Sequence, residues 1–217
     1  MKESVKNLLH GTRQAVTVTV ILMLLCGLLF PCVLTGLSAL IFPNQAGGNL
    51  ISVNGQTLGA KYVGQEFSED CYLWSRPSAY HYNVYTEGED GKQYYPDGTE
   101  FPGIGSGSNN YAPSNPALAE RVEADLKAFL EKNPEVKREE IPTDLLTASG
   151  SGLDPHISPE SAKVQIPRIV EASGLSEEVV RNIINNNTEG KFLGVFGEET
   201  VNVLMVNIEI AQNIGLI

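Results

Sequence analysis

The stretch from Thr147 to Ser158 (TASGSGLDPHIS) contains side chains that hydrolases use for catalysis. In serine hydrolases, a histidine oriented by an aspartate takes the proton of a serine hydroxyl. Ser151 or Ser158 paired with His156 therefore defines one candidate, a hydrolase. The G-x-S-x-G elbow is absent, however, and the members of a triad normally come from separate elements. One histidine with one aspartate is also too small a set for a metal site.

The same stretch has a simpler interpretation as a tight turn. Asp154 and Ser158 would then accept hydrogen bonds from backbone amides. Pro155 would stiffen the bend, and His156 would bond a neighbouring carbonyl group. A third interpretation is a contact with a partner protein. The turn interpretation and the partner-contact interpretation concern the same residues, which are Ser149, Gly150, Ser151, Gly152, Asp154, Pro155, His156 and Ser158.

Other candidate sites in the sequence are weaker. Gly88 to Lys92 (GEDGK) lacks the spacing of a P-loop, and Gly103 to Gly107 lacks the last glycine of a dinucleotide-binding loop. The acidic loop, Glu87 to Glu100, has no EF-hand spacing and is interpreted as a solvated loop. The three cysteines match neither a disulfide framework nor a zinc site. Because the net charge is −11, nucleic acid is not expected as a partner. Since none of these motifs is complete, we also expect no bound metal or cofactor.

The charges divide the chain into two parts around one apolar segment. Residues 1–13 contain three basic side chains and one acidic one, whereas residues 61–217 contain 12 basic and 25 acidic side chains. The intervening segment from Ala15 to Phe42 carries no charge, and roughly 20 apolar residues suffice for a helix that spans a bilayer. A cleaved signal peptide has a shorter apolar stretch, a lipoprotein has a small residue before its cysteine, and a core helix rarely lacks charge for so long. We therefore predict one transmembrane helix.

Basic residues near the ends of such a helix favour the cytoplasmic side. We accordingly predict that residues 1–14 are cytoplasmic, residues 15–42 span the membrane, residues 43–60 are a connector, and residues 61–217 form an extracytoplasmic domain. Pro31 is expected to bend the helix because it lacks an N–H group. Gly27 and Gly36 would allow another helix to pack closely.

The large domain is predicted to be α+β, with helices packed on a small sheet. Asn115, Ser158 and Ser176 are predicted helix caps, followed by apolar residues at helical spacing. Gly174 should end the second of these helices, and Pro167 should kink it. The β-branched segment from Val201 to Ile210 is predicted to be a buried strand.

A long segment, residues 75–115, holds six of the eight tyrosines and has little apolar periodicity. A loop of this length in a compact domain is usually functional or mobile. Its rings either pack in the core or contact a partner protein. The aromatic residues concerned are Trp74, Tyr80, Tyr82, Tyr94 and Tyr95.

The sequence resembles the KdpC family, the C subunits of Kdp-type potassium-transporting ATPases. The most specific block runs from Asp144 to Ile169 (DLLTASGSGLDPHISPESAKVQIPRI). Supporting blocks, all in the expected order, are CGLLFP (26–31), SRPSA (75–79), GSGSN (105–109), SNPAL (114–118) and VNVL (201–204).

The resemblance implies a subunit of a bacterial cell-membrane complex that imports K⁺ using ATP and Mg²⁺. The partners implied are a channel-like pore subunit, a P-type ATPase subunit that carries the phosphorylated aspartate, and a small F subunit. The C subunit would have no catalytic residue and would act in assembly and as a catalytic chaperone that raises the ATP affinity of the ATPase subunit. Family proposals would place an ATP contact at Gln165.

The charge distribution conflicts with a direct ATP contact, because it places Gln165 outside the cell while ATP is inside. We therefore predict an accessory subunit whose outer domain caps the K⁺ entrance and whose effect on ATP affinity passes through its partners. The alternatives are an anchored hydrolase that uses His156 and, less favoured, a regulator that binds ATP directly.

Overall fold

The computed structural model describes residues 2–217, which form two compact units that divide after Leu50. The first unit is helical. Helix α1 covers Lys2–Leu24, a π-helical turn covers Leu25–Leu29, α2 covers Phe30–Ile41 and the short α3 covers Pro43–Ala46. The 32 residues of His10–Ile41 have a mean hydropathy of 2.6 in their most apolar window, and none of that window is buried. One N-terminal helix long and apolar enough to cross a membrane is therefore present, as predicted.

The helix accommodates Pro31 through the π-helical turn. The N–H of Phe30 donates to the carbonyl of Leu25, five residues earlier, and Pro31 follows directly as part of α2. Such a turn inserts one residue into the helix at a point where a proline disturbs the regular bonding. Gly27 lies inside this turn and Gly36 lies in α2, and a Cβ atom at either would meet no atom of the described chain within 4 Å.

The second unit, residues 51–217, is called the folded domain below. It is mixed α and β, as predicted, and its strands are short. A hairpin pairs β1 (Leu50–Val53) with β2 (Gln56–Ala60), and a second pairs β3 (Thr86–Glu87) with β4 (Gln93–Tyr94). The central sheet is antiparallel, in the order β5 (His156–Ile157), β7 (Thr200–Asn202), β6 (Thr188–Glu189). Its register pairs His156 with Asn202 and Thr188 with Val201.

The first hairpin lies in the segment predicted to be a connector. Asn54 and Gly55 join its strands, with φ angles of 52° and 82°. An Asn-Gly pair with both φ angles positive is the preferred turn of a two-residue hairpin. The predicted connector, residues 43–60, thus contains a hairpin whose turn is formed by this Asn-Gly pair.

Three helices of the folded domain begin at the predicted caps. Helix α4 is Pro116–Lys132, α5 is Pro159–Lys163, α6 is Ile166–Ser173 and α7 is Glu177–Asn186. The three are α4, α5 and α7, whereas the start of α6 was not predicted. The side chains of Asn115, Ser158 and Ser176 each accept a hydrogen bond from an amide in the first turn. Gly174, at φ 73°, ends α6. The kink expected at Pro167 is a full interruption at residues 164–165, because α6 starts anew with the proline in its first turn.

The prediction of a strand over Val201–Ile210 is wrong. Only residues up to Asn202 belong to β7, and Val203–Asn213 forms helix α8. Asn202 ends the strand and caps the helix, since its side-chain oxygen accepts a hydrogen bond from the amide of Met205 at 3.0 Å. The helix is buried on nearly every side, so its sequence shows no helical alternation of apolar and polar residues.

Two apolar clusters form the core of the folded domain. The larger lies between the central sheet and α5 to α8. The smaller lies under α4, where Leu126 and Phe129 pack with Ile141 and Leu145. Trp74 lies beside the smaller cluster, with its ring 6.4 Å from that of Phe129.

Candidate functional site

The serine- and glycine-rich motif at residues 149–158 joins the long 75–115 segment to the central sheet. The carbonyl of Ser151 accepts hydrogen bonds from the amide of Gly107 at 2.7 Å and from the hydroxyl of Ser106 at 2.9 Å. The hydroxyl of Ser78 donates to the carbonyl of Gly152 at 2.7 Å. Gly152 has a φ of 68°, and a Cβ there would lie 2.6 Å from the carbonyl oxygen of Gly107. Only glycine fits this close approach of two backbones.

The 75–115 segment is held in place at further points. Residues 81–83 form a left-handed turn with φ angles of 44°, 51° and 59°, which is a strained arrangement for three non-glycine residues. The buried Tyr82 stabilises this turn, since its hydroxyl donates to the carbonyl of Arg76 at 2.9 Å. Burial raises the pKa of Tyr82 to about 12, so the hydroxyl stays protonated as a donor.

The aromatic residues of this segment have mixed surroundings. Tyr82 and Tyr95 are buried, and the rings of Tyr95 and Phe101 meet edge to face at 5.1 Å. Trp74 and Tyr80 are partly buried, and the hydroxyl of Tyr94 donates to Asp90. Core packing therefore accounts for the rings of Tyr82 and Tyr95.

Asp154 lies at the centre of the charged part of the motif. Its carboxylate accepts hydrogen bonds from Arg76 Nη1 at 2.8 Å and from the amide of His156 at 3.0 Å. The His156 ring lies 3.7 Å from the same carboxylate and 3.5 Å from the side-chain nitrogen of Asn202. The carbonyl partner expected for His156 is therefore replaced by these two side chains. Burial opposes the ionisation of Asp154, but the contacts with His156 and Arg76 outweigh it and hold its pKa below the usual value.

Because the pKa of Asp154 is lowered in the folded state, its contacts stabilise the domain only while the carboxylate is ionised. We expect Asp154→Asn to lower the free energy of unfolding by about 1 kcal/mol at neutral pH. The difference from the parent should shrink as the pH falls through 3.8, the ordinary aspartate value, and below it. Chemical denaturation of the full chain at several pH values measures this. A loss of unfolding free energy that stayed constant down to the lowest pH would contradict the prediction. Glu131→Gln, which changes an exposed carboxylate, is the control.

The serine hydroxyls of the motif are bonded away from the His156 ring. The hydroxyl of Ser158 donates to Asp144 Oδ1 at 3.1 Å and accepts from the amide of Ser161. The hydroxyl of Ser151 accepts from the amide of Leu153 at 3.1 Å. Asp144 also accepts hydrogen bonds from the amide of Ser158 and the hydroxyl of Ser161. Asp154 and Ser158 thus bind backbone amides as the turn interpretation expects, and this geometry favours a structural motif over a nucleophile.

Gln165, in the Asp144–Ile169 block, is a polar residue with no exposed surface. Its side-chain oxygen accepts from the amide of Trp74 at 2.9 Å and from Arg168 Nη2 at 2.7 Å. Its side-chain nitrogen donates to the carbonyls of Ser161 at 3.1 Å and Trp74 at 3.3 Å. A glutamine side chain has two donors and two acceptor positions, so its bonding capacity is filled.

Arg168, which sequence reasoning did not select, completes this buried cluster. Its guanidinium donates to the carbonyls of Asp70 at 2.6 Å and Tyr72 at 3.0 Å and to the side chain of Asn133 at 3.1 Å. It also lies 4.1 Å from the centre of the Trp74 ring. Burial lowers the pKa of Arg168 to about 10, which still leaves it charged at neutral pH.

A cavity of about 770 Å³ lies between the 75–115 segment and α4. It is lined by aromatic and charged side chains, among them Arg76, Arg121 and Asp125. Burial raises the pKa of Asp125 although it is paired with Arg121. Gln165 does not line the cavity. Within residues 2–217, with some N-terminal side chains excluded, no group of three potential metal-binding side chains occurs.

Comparisons with known proteins agree on one family. The family model described as "K+-transporting ATPase, c chain" (KdpC) matches residues 12–212. A protein of Clostridium kluyveri named potassium-transporting ATPase KdpC subunit is 52% identical over 206 residues, which covers 95% of each chain. Proteins of the same name from Clostridioides difficile and Bacillus cytotoxicus are 49% and 40% identical, over 94% and 92% of this chain and 98% and 94% of their own lengths.

Proposed function

Since this chain belongs to the KdpC family of potassium-transporting ATPase subunits, we propose how its two units serve the accessory role in K⁺ import that this membership supports. The apolar helix holds the chain beside the membrane-embedded pore subunit. The folded domain stands on the extracytoplasmic side and caps the K⁺ entrance. The partners are the pore subunit, the P-type ATPase subunit and the small F subunit. The observation that carries this proposal is the apolar His10–Ile41 helix, which carries no charge after Arg13, joined to a strongly acidic domain.

The orientation follows from the distribution of basic side chains. Lys2, Lys6 and Arg13 precede the uncharged stretch of this helix, and no basic residue follows the helix until Lys61. Since basic residues close to a membrane helix remain on the cytoplasmic side, the N-terminus is cytoplasmic and the folded domain is outside. The domain's 12 basic and 25 acidic side chains then attract cations to the entrance, an effect that weakens as salt screens the charges.

The transmembrane helix contributes to assembly by packing closely against a neighbouring helix of the complex. Gly27 and Gly36 leave open positions on its surface, and small residues let two helix backbones approach in a membrane. The π-helical turn at Leu25–Leu29 lies at the same level as Gly27. A neighbouring helix of the complex would fit against this irregular part of the helix.

The effect on ATP affinity described for this family passes through the partner subunits. A domain outside the cell cannot touch cytoplasmic nucleotide, and the side chain of Gln165 is fully buried with its hydrogen bonds filled. Binding of this subunit would instead favour the conformation of the ATPase subunit that holds ATP more tightly. The coupling is then a free energy shared between two binding events at separate sites.

Cysteine labelling in intact cells tests the orientation. Glu131→Cys places a thiol on the exposed face of α4, where the parent side chain is 65% exposed. We expect a membrane-impermeant maleimide to label this variant, in a background with Cys26, Cys32 and Cys71 replaced by serine, without permeabilisation. Ser4→Cys, in the N-terminal segment, should react only after permeabilisation. The reverse pattern would overturn the extracytoplasmic position and make a direct ATP contact possible again.

A further inference from the structure

The loop between β6 and β7 carries an apolar group in its middle, residues 192–196, which is called the apolar tip below. Phe192, Leu193, Val195 and Phe196 are 72%, 76%, 74% and 64% exposed. Single exposed apolar side chains are common on protein surfaces, but a contiguous group usually marks an interaction site. Ile104 is an example of the first kind, since it lies between Gly103 and Gly105 and is 88% exposed.

The tip is ordered by its own backbone. The amide of Phe192 donates to the carbonyl of Phe196 at 2.8 Å, and the amide of Phe196 donates back to the carbonyl of Phe192 at 2.9 Å. The amide of Gly194 closes the turn by donating to the carbonyl of Lys191 at 3.0 Å. The four side chains are therefore presented by a hydrogen-bonded turn, which lowers the entropy lost when a partner covers them.

Leu193 has an unfavourable backbone conformation in this turn. Its φ is +53°, in the left-handed region where glycine and asparagine are favoured and a branched apolar residue is strained. A glycine or asparagine would relieve this strain and expose less apolar surface to water. Strained residues persist mainly where they serve a function.

The charges beside the tip indicate what covers it. Residues 188–200 contain one basic residue, Lys191, against Glu189, Glu198 and Glu199. Glu189 is paired with Lys61 at 2.8 Å, so the acidic excess beside the tip comes from Glu198 and Glu199. Glu198 and Glu199 follow the tip after Gly197 and are exposed, and the whole domain is acidic. Protein segments that insert into membrane surfaces usually carry basic residues that meet anionic lipid. An apolar tip with an acidic border instead matches an apolar depression in a protein, bordered by lysine or arginine.

The linker limits where that protein can be. Residues 43–50 join the membrane helix to the folded domain, and a chain extends at most about 3.5 Å per residue, so these eight residues span no more than about 28 Å. The domain therefore stays close to the membrane that holds its helix, and the surfaces within its reach include the extramembrane faces of membrane subunits.

We propose that the apolar tip inserts into an apolar depression, bordered by basic side chains, on the extramembrane face of a membrane-embedded partner subunit, and that it fixes the folded domain there. This inference rests on the proposed function, because it requires a complex in which such a subunit is present. Aromatic side chains buried at the centre of an interface often carry much of its binding energy. Phe192 and Phe196 are therefore the main contacts, and Glu198 and Glu199 pair with the basic border.

The test uses the whole complex, extracted in mild detergent and held by an affinity tag on the ATPase subunit. We expect Phe192→Ser with Phe196→Ser to raise the dissociation rate of this chain during washing at least about tenfold. Ile104→Ser, which removes an equally exposed but isolated apolar side chain, should leave the rate unchanged. The thermal midpoint of the double variant should match that of the parent, since the replaced side chains are exposed. A large loss of thermal stability would show that these side chains serve folding and would overturn the inference.

A fluorescent probe identifies what covers the tip. Leu193→Cys, in a background without the three native cysteines, is labelled with bimane in the isolated chain, which is then assembled into the complex in phosphatidylcholine vesicles. We expect emission shifted to the blue relative to the isolated chain and no quenching by brominated phosphatidylcholine. Quenching by the brominated lipid would show that lipid covers the tip and would overturn the inference, as would an unshifted emission.

The outcomes separate this inference from the proposed function. If the double variant stays in the complex at the parent rate, the tip is not the contact, but the accessory role stands. If the parent chain itself does not co-purify with the ATPase subunit, the proposed function fails and the tip inference fails with it.

Discussion

Replacing Gln165 by alanine is expected to lower the thermal midpoint of the folded domain by roughly 10 °C. The change leaves the amide of Trp74, one Arg168 nitrogen and the carbonyl of Ser161 without these partners in a buried site. Each buried polar group left without a partner costs about 1–3 kcal/mol, which gives a total near 4 kcal/mol. For a domain of this size, 1 kcal/mol moves the midpoint by about 2–4 °C.

The measurement is thermal unfolding of the full chain in detergent, followed by circular dichroism. Gln212→Ala, at an exposed position near the end of α8, is the matched control and should change the midpoint little. If Gln165→Ala unfolded at the parent temperature while the complex lost ATP affinity, the role of Gln165 would be a nucleotide contact. Parent-like stability with unchanged ATP affinity would contradict both roles.

The sequence was sufficient for the features that depend on local chemistry. The caps at Asn115, Ser158 and Ser176 were predicted because a short polar side chain before a helical apolar pattern satisfies free amides. The membrane-spanning helix was predicted because a bilayer requires a long uncharged segment. The turn at Asp154 was predicted because aspartate before proline commonly binds a nearby amide.

The features that were missed depend on contacts distant in sequence. Asn207 lies inside α8 and both donates to and accepts from the backbone of Leu73, at 2.8 Å and 2.7 Å. Nothing near Asn207 in the sequence indicates this partner 134 residues away. The helix α8 itself was mistaken for a strand because burial on all sides removes the periodicity that distinguishes the two.

The same limit applies to the buried cluster around Gln165. The sequence placed Arg168 in an ordinary helical pattern, where an arginine is expected to be exposed. The structure instead buries it, since the carbonyls of Asp70 and Tyr72 and the Trp74 ring arrive from a segment almost 100 residues earlier. The burial of Arg168 therefore depends on the tertiary fold, and no residue near it in sequence indicates it.

Replacing Arg168 by methionine is expected to cost still more than the Gln165 change, about 5 kcal/mol. Methionine is long enough to keep contact with the Trp74 ring, so the loss comes mainly from the hydrogen bonds. The carbonyls of Asp70 and Tyr72 and the side chain of Asn133 would lose their charged donor. Hydrogen bonds to a charged group are worth about 1.5–3 kcal/mol each, and part of the total is recovered because the buried charge is no longer desolvated.

Urea unfolding of the full chain in detergent measures this cost, and Arg138→Met supplies the control. Arg138 also donates two hydrogen bonds, to Glu123, but the pair lies on an exposed surface, where solvent screening leaves such a contact with little effect on stability. Equal losses for the two arginines would show that the buried cluster is no more than an ordinary ion pair and would contradict the prediction.

The double variant with Gln165→Ala and Arg168→Met shows whether the two residues act together. Arg168 donates to Gln165 at 2.7 Å, so each single change already removes part of what the other would remove. The summed losses should therefore exceed the loss in the double variant by about 1–2 kcal/mol. A cluster coupled in this way fixes residues 70–74 against α6. Strict additivity would mean that the two residues stabilise the domain independently.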